Sequence, residues 1–397
     1  MTYTLYIGRR RAKRLLLLLI FPLFLSCLCG CRGSIYANYR DTAELQLVQT
    51  FGLDRGEHGF ELSVSTGSGL PEQPTVRISR PDDSIIGGME ELRDYSPKNE
   101  LYFAHTRYCL LGEGLARYSL AEYFDFMERS SQLRTDIVLF IAKDSTAKKI
   151  IQGSGEKSSE VTEGLSSLER EVRQRGEGYP FNCREVIRSL DEYGSALVCA
   201  VRASETKGAL LTDSGDILPT SDGYAVLRGD KLCGFLDPRS AVGVNILIGK
   251  PIYTSITFPD GEGGDATVYL SRGDAKISGA WSEDGTLSKI ITEVSIVAEP
   301  GELQSPQTRL DADYLAKLNA ALEREMTSRF TRVLRFSQDK EADFLGLYGI
   351  LRRSSPREIS NLQEPFPAAL AKAELVVRVS CEISPAMSLK DSGEEDR

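Results

Sequence analysis

The chain has 397 residues and a net charge of −9, with 41% hydrophobic and 26% charged residues. That length leaves room for two or three domains, and the acidic balance, with no basic stripe past residue 14, argues against a nucleic-acid-binding footprint. Only two histidines are present, which leaves little scope for imidazole chemistry.

The N-terminus opens with a basic cluster, Arg9, Arg10, Arg11, Lys13 and Arg14, followed by an uncharged run from Leu15 to Leu28. The run is short of the roughly 20 apolar residues that span a bilayer. A basic start, a short apolar run and a small residue at its end are marks of a secretory signal. Leu28-Cys29-Gly30-Cys31 resembles a bacterial lipobox, in which the thiol after a small residue takes a diacylglyceryl group. Cys31 is therefore the expected lipid attachment site. Cys27 and Cys29 fit less well, because Phe24 stands where an aliphatic residue is preferred before Cys27, and Leu28 is bulky before Cys29. The alternative is a plain signal peptide with cysteines as apolar filler. The segment 1–30 carries five cations and no acid, so its removal would take the charge from −9 to −14. With that charge, polybasic adhesion to anionic lipid is not expected.

Residues 31–43 read as a polar tether. ELQLVQTFGLD and FELSVSTG read as strands joined by the DRGEHG turn, and PTVRISR as a third strand. SIIGGMEELRDYS has helical spacing. TRYCLLGE reads as a strand and SLAEYFDFMERSS as a helix, with Leu120, Tyr123, Phe124 and Met127 on one face. DIVLFIAK is a continuous apolar run, hence a buried strand, and TAKKIIQ starts a short helix. Residues 153–178, rich in Ser, Glu and Gly, read as a variable loop or loose helix. CREVIRSLDEY reads as a helix and ALVCAVRAS as a strand. This order defines an N-terminal α+β domain over 44–205.

GYAVLRGDKLCGFLD reads as strand, Gly-Asp turn, strand, and a short helix and PIYTSITF follow. These form an expected small β-rich domain over 206–263. In 264–387, ATVYLSR, AKISGAW and LSKIITEVSIVA read as a three-strand meander. Residues 311–336 give the strongest helical pattern, with Leu315, Leu318, Leu322, Met326, Phe330 and Val333 forming one stripe. ELVVRVSCEIS alternates as a half-buried strand, and 388–397 reads as a disordered tail. The fold class is α+β: three mixed α/β domains with mostly antiparallel sheets and a long amphipathic helix in the last.

A search for bond-making chemistry finds no catalytic, metal or cofactor site. HExxH, GxSxG, CxxC and GxGxxG motifs are missing. His58 falls in a turn, and His105 and Cys109 are four apart with no third partner. QGSGEKS lacks the Gly-Lys pair of a phosphate loop. Past Cys31, the scattered Cys109, Cys183, Cys199, Cys233 and Cys381 read as buried small hydrophobes, with one disulfide open. Trp281 reads as core.

Several stretches in order resemble the Ger(x)C family, the C-subunit lipoproteins of nutrient germinant receptors. AELQLVQTFGLDRGEHGFELSV is similar to the family's first hairpin. In 105–151, His105, Gly112, Glu113, Arg117, Arg129, Arg134 and Ala147 fall at family positions. So do Lys231, Leu232, Gly234 and Leu236 in GYAVLRGDKLCGFLD, and Gln338, Asp343, Gly346 and Gly349 in QDKEADFLGLYGILRR. The chain departs from the pattern at Arg32-Gly33, where the family has Trp-Asp, and at Ser355-Pro356, where Trp-Pro is common. The resemblance implies a non-enzymatic, lipid-anchored receptor subunit on the outer face of the spore inner membrane. It implies work beside two integral-membrane partners, the A and B subunits, in triggering germination. An envelope solute-binding or assembly lipoprotein is the alternative. Exposed parts of 112–135 and 223–240 are the candidate contact surfaces.

Overall fold

The computed structural model describes residues 45–66, 77–94, 100–153, 159–205, 217–304 and 311–384. The signal-like segment, Cys31, the tether, most of QGSGEKS and the acidic tail lie outside them.

Two sheets organise the described residues. The larger has nine strands in the order β3-β2-β1-β5-β6-β7-β8-β9, with β4 also paired to β1. Its strands are β1 (Leu45–Arg55), β2 (Phe60–Thr66), β3 (Arg77–Asp82), β4 (Glu100–Tyr102), β5 (Tyr108–Gly112), β6 (Val138–Lys143), β7 (Ser195–Glu205), β8 (Ile217–Arg228) and β9 (Lys231–Leu236). The central run β1-β5-β6-β7 is parallel, and the pairs on either side are antiparallel. Parallel neighbours need crossover connections, usually helical, that cover the sheet faces. The apolar run Leu139–Ala142 is accordingly buried throughout.

Two groups of helices supply that cover. Under one face lie α1 (Ile85–Asp94), α3 (Ala121–Arg129) and α6 (Cys183–Tyr193), which bury Met89, Tyr123, Met127 and Val186 against Phe51, Leu111 and Ile141. The short α2 (Glu113–Tyr118) follows β5 directly. On the other face, α4 (Ala147–Gly153) and α5 (Ser159–Arg175) bury Ile150, Ile151, Leu165 and Leu168 against Tyr108, Leu110 and Phe140. Residues 159–175, expected as a loop or loose helix, are thus a regular helix of 17 residues. Val161, Leu165, Leu168 and Val172 form its buried stripe, and Thr162 meets Thr50 of β1 through a buried 2.8 Å hydroxyl–hydroxyl hydrogen bond.

The second sheet runs β10-β11-β12-β13, formed by β10 (Thr254–Pro259), β11 (Asp265–Trp281), β12 (Leu287–Leu303) and β13 (Glu374–Ile383). Its first two pairs are antiparallel and β12-β13 is parallel. The expected three-strand meander is two long strands. Ser271–Asp274 resembles a turn in sequence, but β11 passes through it with a register shift between Leu270 and Arg272. The long helix α8 (Ala312–Asp339) packs on this sheet, and Asp311 caps it by accepting a 2.8 Å hydrogen bond from the Tyr314 amide. Leu318, Leu322, Met326, Phe330 and Val333 are its buried stripe, as a helix covering a sheet requires. The smaller α9 (Leu347–Ser354), α10 (Pro356–Ser360) and α11 (Phe366–Lys372) complete this core.

The stretch 206–263, expected as a middle β-rich domain, has no sheet of its own among the described residues. Its hairpin β8-β9 extends the first sheet and β10 edges the second. Between them, α7 (Pro238–Leu247) buries every residue from Ser240 to Leu247. A helix buried on all sides is a core helix. The one large polar group in that buried stretch, Asn245, is satisfied: it donates to the carbonyls of Gly176 (2.8 Å) and Gly178 (3.2 Å) and accepts from the Tyr224 hydroxyl. Among the described residues, no helix is long and apolar enough to cross a membrane.

Candidate functional site

The parallel strands β1, β5, β6 and β7 end side by side, and charged residues gather at their carboxyl ends. Such ends are where open α/β sheets present their functional groups. Asp54, on β1, is buried and accepts hydrogen bonds of 2.8 Å from the amides of both Ala147 and Lys148 at the start of α4. Burial raises its pKa above the ordinary carboxylate value, against the lowering effect of the two amides.

At the end of β5, Glu113 accepts from the Asp144 amide at 2.6 Å and pairs with Arg117 one turn later at 2.6 Å. Asp144, just past β6, has φ of 52°, a left-handed conformation that Asp tolerates better than most residues. Its carboxylate meets Arg202 of β7 at 3.1 Å. Asp222 of β8 then receives both Arg202 and Lys143, each at 2.8 Å. The Asp222 and Lys143 side chains are 17% and 19% exposed, so this pair is much better shielded than an ordinary surface pair. Lys143 and Arg117 both lie over the Phe235 ring, at 5.1 and 5.8 Å.

The two candidate stretches 112–135 and 223–240 are brought together here. The Leu120 amide donates to the Asp230 carbonyl at 2.7 Å, and the Ser119 hydroxyl donates to the Asp230 carboxylate. Arg117 faces Phe235 from across the same junction.

Many of the motif positions turn out to hold the fold. Gly112 leaves room for Asp54, and Ala147 supplies an amide to it. Gly234 lies against Phe336, and a Cβ there would stand 2.8 Å from the ring. Leu232 and Leu236 are core, whereas Lys231 is exposed. Gln338 donates to the carbonyls of Leu370 (2.8 Å) and Ala373 (2.7 Å), tying α8 to the end of α11. Asp343 is buried and accepts from the amides of Leu347 (2.7 Å) and Tyr348 (2.8 Å) at the start of α9. Gly346 takes a positive φ of 68° before that helix, and Gly349 packs under Tyr193. The remaining charged positions are peripheral. Arg129 pairs with Asp125 at 2.6 Å, Arg134 pairs with Asp136, and exposed His105 rests on Tyr102.

His105 and Cys109 do not meet: His105 points to solvent, while the Cys109 thiol is buried beside Tyr123 and Cys183. All five described cysteines are free. Trp281 packs partly buried against the larger core. Among the described residues, no group of three or more His, Cys, Asp or Glu side chains could hold a metal ion. Sequence reasoning missed Lys143, Asp144, Arg202 and Asp222. The available signal was the sudden change from apolar to charged where VLFIA runs into Lys143-Asp144 and LVCAV into Arg202.

This doubly covered mixed sheet, joined to a second sheet under one long helix, is the fold of a class of spore germination proteins. The family model described as "Spore germination protein N-terminal domain" matches residues 38–203, and "Spore germination B3/ GerAC like, C-terminal" matches residues 222–385. The chain belongs to the Ger(x)C family. It is 22% identical over 386 residues to "Spore germination protein KC" of Bacillus subtilis (strain 168), covering 89% of this chain and 91% of that protein. The solved structure titled "Crystal Structure of the GerBC protein" shares the fold, with a TM-score of 0.55 at 18% identity, covering 84% of this chain and 96% of that one.

Proposed function

We propose that this chain is a non-enzymatic, lipid-anchored subunit of a nutrient germinant receptor. It is held on the outer face of the spore inner membrane through a diacylglyceryl group on Cys31, beside the integral-membrane A and B subunits. The observation that carries this reading is the ordered match of both family domains, over 38–203 and 222–385, behind a segment that has the form of a lipoprotein signal. The charged rim at the strand ends supports a binding rather than a catalytic role. Glu113, Asp144 and Asp222 are paired with Arg117, Arg202 and Lys143, and Asp54 is held by the amides of Ala147 and Lys148, whereas an acid–base catalyst needs a group poised to exchange a proton.

The test is membrane fractionation and partner pull-down from spores, with and without Cys31→Ala. Release of the variant, or an uncleaved signal, together with loss of the two membrane-protein partners, is expected. Normal processing and retention of Cys31→Ala would contradict the anchor. A normal nutrient response after deletion of the gene and its paralogues would contradict the receptor role.

A further inference from the structure

A groove of about 590 Å³ lies away from the charged rim, between α1 and α3 and the Ser130–Gln132 turn. Its volume is in the ~300–1,000 Å³ range of ligand-binding clefts. Ile85, Ile86 and Met89 line it from α1, and Phe126 lines it from α3. Ile86 is 56% exposed there. The apolar lining has an acidic setting: residues 82–94 and 121–132 hold eight carboxylates against two cations. Neither cation is free. Arg129 is paired with Asp125, and Arg93 donates to Gln132 at 2.5 Å and lies over Phe103. On the groove wall itself stand Glu122, Asp125 and Arg129, with Arg129 taken up by Asp125 and Glu122 left as the net charge.

We infer that this groove is a docking site for a basic amphipathic helix of a protein partner. The charge decides among occupants. An anionic membrane surface would be repelled by the same carboxylates. A second copy of this chain would set one acidic groove against another. An apolar trough with an acidic border fits a helix with apolar residues at i, i+3, i+4 and i+7 and Lys or Arg beside them. With its 10 residues, α1 is about 15 Å long, enough to hold two to three turns of such a helix. The inference leans on the receptor reading only for which protein supplies the helix.

The test uses the full chain in discs of zwitterionic lipid. The probe is a Leu/Lys peptide of about 18 residues with leucines at helical spacing and a photoreactive group. Labelling mapped by mass spectrometry should fall on α1 and α3. Affinity should drop about tenfold with Ile86→Asp, and also fall with Glu122→Lys. Because Ile86 is exposed, Ile86→Asp should keep its circular dichroism spectrum and melting temperature. A scrambled peptide of the same composition that labels the groove equally would overturn the proposal. So would labelling elsewhere, an unchanged affinity in Ile86→Asp, or preferential capture of phosphatidylglycerol vesicles through the groove. The peptide is added in solution, so these outcomes do not depend on how Cys31 is processed or on the receptor assignment.

Discussion

Gly112 and Asp54 approach so closely that a Cβ on Gly112 would stand 1.9 Å from the Asp54 Oδ1. Asp54 cannot retreat without giving up its two amide hydrogen bonds to the start of α4. Gly112→Ala should therefore cost about 2–4 kcal/mol, combining overpacking with strained charged hydrogen bonds. Gly114, two residues on, has nothing within 4 Å of where its Cβ would be, and Gly114→Ala should stabilise by up to about 1 kcal/mol through helix propensity. Urea midpoints of the two variants should move in opposite directions. Equal shifts would contradict the packing argument.

Asp343 gives a pH dependence. Burial pushes its pKa up to about 7, against the lowering effect of the α9 amides. Between the unfolded value near 4 and 7, the native state therefore binds more protons than the unfolded state. Stability contributed by this group is fully present at the acid end and is lost as pH rises through 7. Asp54, raised by burial, acts in the same direction. Asp343→Asn removes one of the two titrations. The difference in urea midpoint between wild type and Asp343→Asn should slope between pH 4 and 7 and be flat above. A flat difference throughout would place the Asp343 pKa at its ordinary value.

Burial should separate two ion pairs of similar length. Asp125 and Arg129 are 56% and 79% exposed, and Asp125→Ala should change stability by less than about 0.5 kcal/mol. Asp222 and Lys143 are largely shielded, and Asp222→Ala leaves Lys143 and Arg202 without their shared acceptor. A loss of about 1–3 kcal/mol is expected. A double-mutant cycle with Lys143→Met measures how much of it belongs to the pair. No coupling would mean that the rim does not hold the strand ends together.

Burial also pushes the thiols of Cys183, Cys199 and Cys381 up to about 12, and raises those of Cys109 and Cys233. Since the thiolate is the nucleophile, none of these five should react quickly with a disulfide reagent at pH 8 in the folded protein. All five should react in denaturant. Rapid native labelling of Cys109 or Cys183 would show that the core around Tyr123 opens.

The helix at 183–193 was legible because its ends are written in the sequence. Asn182 and Glu185 form a reciprocal capping box, and Gly194 closes it in the left-handed conformation at φ 66°. The helix at 159–175 was obscured by Ser, Glu and Gly164, although Val161, Leu165, Leu168 and Val172 keep helical spacing. The Ser-Arg-Gly-Asp stretch at 271–274 has turn composition, yet pairing with β12 carries β11 through it. The family motif drew attention to 112–135 and 223–240, but local spacing holds no information on which strand ends lie together. The rim of Asp54, Glu113, Asp144, Arg202 and Asp222 exists only once five strands, β1 and β5 to β8, have been ordered. The groove at Ile86 likewise needs α1 and α3, separated by 26 residues of chain, to share one face.

The last strand of the second sheet, β13, has β12 on one side only. On its other side, the Cys381 amide donates to Glu323 at 3.0 Å and the Ile383 amide donates to Asn319 at 2.8 Å, both on α8. Two backbone donors that would otherwise recruit a strand from a neighbouring molecule are thereby occupied. Many copies crowded onto a shared two-dimensional surface would meet edge to edge far more often than in dilute solution. The side chains of α8 act as a selvedge along this edge, keeping one sheet from being stitched into the next.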